Sequence, residues 1–137
     1  MILETPSLFD QIGPAKISEV IRIFYDRAFE DPMIQHFFLQ SDKARLVQEQ
    51  TDFVTALLGG PRSYNGKPLL KAHEPLKIRK PHFGRRQVIM AEVLASAGVA
   101  DEFAKKWLAL EQALQPLILA VGTANCQLPD HLSGKVI

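Results

Sequence analysis

Lys67-Pro-Leu-Leu-Lys-Ala-His73-Glu-Pro-Leu-Lys-Ile-Arg-Lys-Pro-His-Phe83 is the stretch whose reading decides the fold. His73 follows Leu69 and Leu70 at helical spacings of four and three, and Leu76 follows it by three. The imidazole is thereby set on the apolar side of one helical turn, facing the interior. Pro68, Pro75 and Pro81 each remove a backbone donor and restrict the preceding residue, so the stretch holds little helix. A buried neutral histidine needs partners for two ring nitrogens, and an iron atom is one candidate. By residue type alone, a lone histidine on an apolar face is more often a hydrogen-bonded core residue than a ligand. The flanking sequence has to decide.

On either side lie long helical patterns. Upstream, Ser7 to Gly13 reads as a short helix closed by glycine, and Pro14 suits the first turn of the next. That helix carries Ile17, Val20, Ile21, Phe24 and Ala28 as one stripe with charges opposite. Asp26, Arg27, Glu30 and Asp31 read as a solvated face. Pro32 breaks the pattern, and Met33 to Phe38 forms a compact apolar elbow. Ser41 is the expected cap of a third helix, with Asp42 in its first turn. Its stripe runs Leu46, Phe53, Val54 and Leu57, ended by Gly59-Gly60-Pro61. A turn-rich loop follows to about Lys67, a length that tends to be functional or ordered by what it wraps.

Downstream of the histidine turn, a helix is expected from about Pro81 to Ala97, with Val88, Ile89 and Val93 inside and Gly98 as its stop. The last begins near Asp101 and carries Phe103, Trp107, Leu110, Leu114, Leu117 and Val121, and Pro116 should kink or divide it. Nothing reads as a strand, so the fold class is all-α. The 137 residues suit one domain, with a core over about 7–121 and a loosely held tail at 122–137.

Charge excludes some partners. With 16 basic and 15 acidic residues the net charge is +1, which makes no electrostatic case for nucleic acid or an anionic membrane. A single cysteine, Cys126, permits no intrachain disulfide and fits a reducing compartment. The start lacks a basic region followed by an apolar run, and the apolar stretch Trp107 to Val121 is too short and polar to span a bilayer. A cytoplasmic protein is the expectation. Cys126 and His131 in the polar tail are poorly placed as a nucleophile and base.

Two polar residues break the stripes in the same way. Tyr25 lies four after Ile21 and three before Ala28; Gln50 lies four after Leu46 and three before Phe53. A buried amide without partners costs roughly 1–3 kcal/mol, and a buried phenol normally finds a partner. Each could simply bond a backbone carbonyl, or the other. Two such residues on separate helices, with an inward histidine on a third element, suggest a shared polar spot inside an apolar cavity, the usual make-up of a cofactor or small-molecule site.

Phe24-Tyr25, Asp31-Pro32, Phe37-Phe38, Gln50, Leu57-x-Gly-Gly-Pro-x-x-Tyr64-x-Gly66, His73, His82-Phe83 and Ala97-Gly98-Val99 occur in the order and spacing of a known family. In these residues the chain resembles the truncated haemoglobins, group I, over roughly residues 7 to 121. The Gly-Gly-Pro…Tyr-x-Gly loop points to that group. The resemblance implies two helices crossed over two, a two-over-two sandwich with the proximal helix reduced to one turn.

It further implies haem b as cofactor, with His73 as the proximal iron ligand and Phe38 packed on the porphyrin face. Tyr25 and Gln50 match the distal pair that hydrogen-bonds an iron-bound ligand. Leu46 matches the distal gate, and Phe53, Leu76, Ile78 and Phe83 match pocket-lining positions. Arg45, Tyr64, Lys67 and Arg86 are candidates for the propionates.

The chain departs from the family pattern at three points. Gly13-Pro14 replaces a glycine pair, Arg86 stands where an apolar or aromatic residue is usual, and Glu49 stands where a cation or sixth ligand occurs. Arg86 would have to snorkel or pair with a propionate.

The implied activity is reversible binding of dioxygen, with carbon monoxide or nitric oxide as further ligands. Nitric oxide dioxygenation with an external reductase is the alternative. A cofactor-free helical interaction module, with His73, Tyr25 and Gln50 as satisfied core groups, is the reading from a different class. Colour separates it from the others.

Overall fold

A computed structural model describes residues 6–61 and 78–119, and these form helices and no strand. His73 with the turn expected around it, the loop expected up to about Lys67, and the tail expected from Gly122 fall on residues outside the described ones.

Helix α1 spans Leu8–Ile12. Ser7 caps it, its hydroxyl accepting from the Asp10 N–H at 3.1 Å while the Asp10 carboxylate accepts from the Ser7 N–H at 3.2 Å. Such a reciprocal cap supplies partners for two otherwise unpaired donors. Gly13, at φ +94°, turns the chain directly into α2, Pro14–Ala28, whose first position is the proline. The turn needs a left-handed residue and the helix start tolerates a missing N–H, so Gly-Pro suits both sides of the junction.

The α2 stripe is as expected: Ile17, Val20, Ile21, Phe24 and Ala28 are all fully buried. Burying each of the larger ones contributes roughly 1.5–3 kcal/mol. After α2 the elbow narrows to a 3-10 turn, Gln35–Phe38, in which Ile34 and Phe38 point inward while Met33 stays exposed.

Helix α3 spans Lys43–Leu57, and its cap is Asp42, not Ser41: the Asp42 carboxylate accepts from the Arg45 N–H at 3.3 Å. The acidic side chain thus serves both as cap and as the negative charge favoured at a helix N-terminus. Leu46, Phe53 and Val54 are buried, but Leu57 is only half-buried and Leu58 takes the inward place beyond the helix end. There the Leu58 carbonyl accepts from the Phe9 N–H at 2.9 Å, tying α1 to the end of α3. Gly60 allows that approach, since a Cβ on it would lie 2.7 Å from the Phe9 ring and 2.8 Å from the Thr55 methyl.

Helix α4 spans Lys80–Ser96, and Gly98 at φ +84° follows its end. Its inward residues are Phe83, Arg86, Ile89, Met90, Val93 and Leu94; Val88, expected inside, is exposed. Pro116 divides the last helix into α5, Asp101–Gln112, and α6, Gln115–Ile118. Trp107 is fully buried on α5, whereas Phe103 is only half-buried and Leu110 lies on the exposed side.

Helix α2 packs on both α3 and α4, α4 packs on α5, and α1 touches α2 and α5. The pairs α2/α3 and α4/α5 are joined through the α2–α4 contact, with the core between them. No helix among the described residues is long and apolar enough to cross a membrane.

Candidate haem pocket

Gln50 is the clearest anomaly in the core. It is completely buried on α3, and neither its amide nitrogen nor its amide oxygen has a hydrogen-bond partner. Leu46 and Phe53, one turn to either side, are buried with it. Tyr25 on α2 is 1 % exposed, set edge-on against Phe24 at 5.1 Å and Phe38 at 5.8 Å between ring centroids. Phe38 in turn stacks on Phe29 at 4.9 Å, a contact the sequence reading missed. The fold therefore collects Tyr25 and Phe38 in direct contact and adds Leu46, Gln50 and Phe53 from the helix that packs on α2.

A cleft lies between the elbow and α4, lined by Ile34, Phe37, Ile78, His82, Phe83 and Arg86. Ile78 and Phe83 were expected to line the pocket, and both are buried. Ile34 and Phe37 bring the elbow to its wall. His82, expected only to open a helix, walls the cleft as well, and its Nδ1 accepts from the Arg79 N–H at 3.1 Å. Its ring lies 4.9 Å from Phe37 and 5.6 Å from exposed His36. Burial holds His82 below the usual imidazole pKa, and the positive charges of His36 and Arg79 act the same way.

Two charged residues behave unlike their sequence reading. Asp31, taken as part of a solvated face, is 7 % exposed. Its Oδ1 accepts from Nε and Nη2 of Arg85 at 3.0 and 2.8 Å, and its Oδ2 from the Met33 N–H at 3.1 Å. The hydrogen bond from Arg85 holds its carboxyl below the usual range, against an opposing effect of burial. Asp31 thereby pins the elbow to α4.

Arg86 neither snorkels nor remains free for a propionate. It is 2 % exposed, and Glu111 of α5 takes both of its terminal nitrogens, Nη1 to Oε1 at 2.5 Å and Nη2 to Oε2 at 2.9 Å. Glu111 is one of the polar residues that interrupt the apolar stretch Trp107 to Val121. Its position four after Trp107 and three before Leu114 was the available signal, since it puts a carboxylate in the inward stripe opposite an inward arginine.

Arg45 is exposed and ion-paired to Glu49 at 2.9 Å, so these two residues answer each other at the α3 surface. His73, Tyr64, Lys67 and Leu76 lie outside the described residues. Among the described residues no cluster of three or more histidine, cysteine or acidic side chains could hold a metal by itself.

The residues present fit haem. Apolar and aromatic side chains wall the cleft, and α3 contributes to the core a buried amide that has both of its hydrogen-bonding atoms unpaired, a cost of roughly 1–3 kcal/mol unless something else answers it.

Comparison with known proteins agrees. Residues 7–119 match the family model of the Bacterial-like globins. A group 1 truncated hemoglobin of Mycolicibacterium paratuberculosis is 35% identical over 123 residues, covering 89% of this chain and 90% of the relative. One from Tetrahymena thermophila is 31% identical over 98 residues, covering 71% and 81%. Among solved structures, the truncated hemoglobin of Tetrahymena pyriformis in its Fe(III) form superposes with a TM-score of 0.80 at 27% identity, over 83% of this chain and 98% of that one. With the two-pair helical architecture, these matches make the chain a group I truncated haemoglobin of the bacterial-like globin family, whose cofactor is haem.

Proposed function

We propose that this haem-based gas-binding protein takes up dioxygen reversibly, with His73 as the iron ligand and Tyr25 and Gln50 as the polar groups that receive the gas. Haem iron, when bound, supplies the coordination position for a diatomic ligand. The chain supplies everything around it. Leu46, Phe53, Leu76, Ile78 and Phe83 keep water out, and Phe38 offers a ring face already braced by Tyr25 and Phe29. Arg45 and Tyr64 serve the propionates at the rim. A cytoplasmic setting accords with the single cysteine.

The observation that carries this reading is the amide of Gln50, fully buried with neither end partnered. An ordinary core glutamine would have been satisfied or replaced by leucine, because an unanswered amide only destabilises. An amide N–H held dry and unpaired is pre-organised to donate to a ligand that carries partial negative charge, and a phenol is a second group able to donate to such a ligand. Dioxygen acquires such charge on binding, and carbon monoxide acquires little.

The test compares the release of the two gases by stopped flow in Tyr25→Phe and Gln50→Leu. Losing a charge-assisted hydrogen bond of about 1.5–3 kcal/mol should speed oxygen release by about one to two decades, with carbon monoxide release changed far less. Equal effects on both gases would mean that the pair acts through packing. A six-coordinate ferrous spectrum would refute the open site, for which Leu46 and Glu49 are the nearest distal side chains by sequence.

A further inference from the structure

The start of α4 is an unusual helix N-terminus. Its first turn holds no acidic residue, and Arg79 and Lys80 open it with two exposed positive charges. Negative side chains are the ones favoured at that end of a helix. The acceptor that serves it is an imidazole: Nδ1 of His82, the third residue of the helix, takes the N–H of Arg79. A ring that accepts at Nδ1 is neutral and carries its proton on Nε2. Protonation turns Nδ1 into a donor that faces a donor. It also adds a charge to the positive end of the helix, which the macrodipole disfavours.

The same ring joins two elements. Phe37 of the elbow meets it at 83° with centroids 4.9 Å apart, and both residues line the cleft. Exposed His36 lies 5.6 Å from the His82 ring and 4.0 Å from Phe37. Two further cations on α4 are already answered, Arg85 by Asp31 at the start of the elbow and Arg86 by Glu111 of α5. Arg79, Lys80 and, once protonated, His36 carry the same sign as a protonated His82. Burial first, then His36 and Arg79, hold the pKa of His82 below the usual imidazole value.

We infer that His82 is an acid-sensitive latch between the elbow and α4, closed while its ring is neutral and released when the ring takes up a proton, so that acidification weakens the hold of this corner on haem. The consequence for haem rests on the cleft being the haem pocket; the latch itself does not. The sign follows from linkage. A histidine held below its unfolded value, about 6.5, contributes stability that is fully present above that pH and is lost as pH falls through the lower folded value. Asp31 stays ionised through that window, because Arg85 holds its carboxyl below the usual range, so the Asp31–Arg85 tie is not what opens.

The full-length protein loaded with haem and carbon monoxide tests the latch between about pH 7.5 and 5, on either side of the imidazole value. The readouts are proton NMR of the His82 ring and the Arg79 amide, and the rate of haem transfer to excess apomyoglobin. The Arg79 amide proton should move upfield with the midpoint of the His82 ring, as loss of its hydrogen bond requires. Haem transfer should quicken by roughly fivefold, the weight of one helix cap. In His82→Gln the side-chain oxygen can still accept from the Arg79 N–H, as the third residue of a capping box does, and it does not titrate. That variant should match the wild type at neutral pH and lack the acid step. An Arg79 amide that keeps its hydrogen-bonded shift while the ring titrates overturns the latch, whether or not the variant folds. An acid step of equal size in His82→Gln overturns it as well, because other groups would then release the haem. A wild type that holds no haem at neutral pH would instead refute the pocket, and the amide titration would still decide the latch.

Discussion

Asp31 shows how one side chain can join the chemistry of a surface to the geometry of a site. Its carboxylate binds Arg85 on α4 and the Met33 N–H at once, and the elbow it pins carries Ile34 and Phe38 into the core. Arg85 lowers its pKa in the folded state relative to the unfolded value. The stabilisation is therefore complete above the unfolded carboxylate range, near 3.9, and is lost as pH falls through the lower folded value. Asp31→Asn should destabilise the protein at neutral pH and flatten the acid limb of its stability profile, measured by denaturant midpoints across pH. His73 belongs to the same scale, although only the sequence speaks for it. His73→Ala should abolish stable haem loading, read from the Soret band and haem stoichiometry. Because His82 walls the cleft, the double variant His73→Ala/His82→Ala is the control: residual haem lost only in the double variant would identify His82 as a substitute ligand.

At the scale of elements, the junction of α1 with the end of α3 is held by a contact that only glycine permits. The Phe9 ring and the Thr55 methyl both lie under 3.0 Å from where a Gly60 Cβ would sit. Gly60→Ala should therefore force the two apart and lower stability by about 1–3 kcal/mol, the usual cost of overpacking, with haem content unchanged. Among the described residues, helix identity was legible from periodicity, and the ends were legible where a cap or a breaker stood alone. Where two capping residues were adjacent, as at Ser41 and Asp42, spacing could not choose. The backbone chose Asp42 because its oxygen reaches the Arg45 N–H. Val88 failed for a related reason: an apolar residue can sit at the margin of a stripe, and the inward places beside it went to Ile89 and Met90.

At the scale of the whole molecule, the cofactor is part of the core. The cleft between the elbow and α4 and the unpaired Gln50 amide are two features of the described core that the family's haem would answer. Removing haem should lower the thermal midpoint of the wild type markedly, since a ligand that binds only the folded state adds its binding free energy to stability. The same removal should make no difference in His73→Ala. Differential scanning of loaded and stripped protein measures both.

The sequence by itself determined the all-α class, the inward stripe of α2, that of α3 except at Leu57, the glycine stops and the family, because each of these rests on local spacing and on residue type. It also singled out Tyr25 and Gln50, since a polar residue inside an apolar stripe is visible without coordinates. Only the tertiary structure decided where charges meet. Asp31 with Arg85 and Arg86 with Glu111 are separated by 54 and 25 positions along the chain. No periodicity links them. An inward charge is unfavourable on one helix and acceptable only against its partner on another, so its burial is a property of the packed pair rather than of either segment.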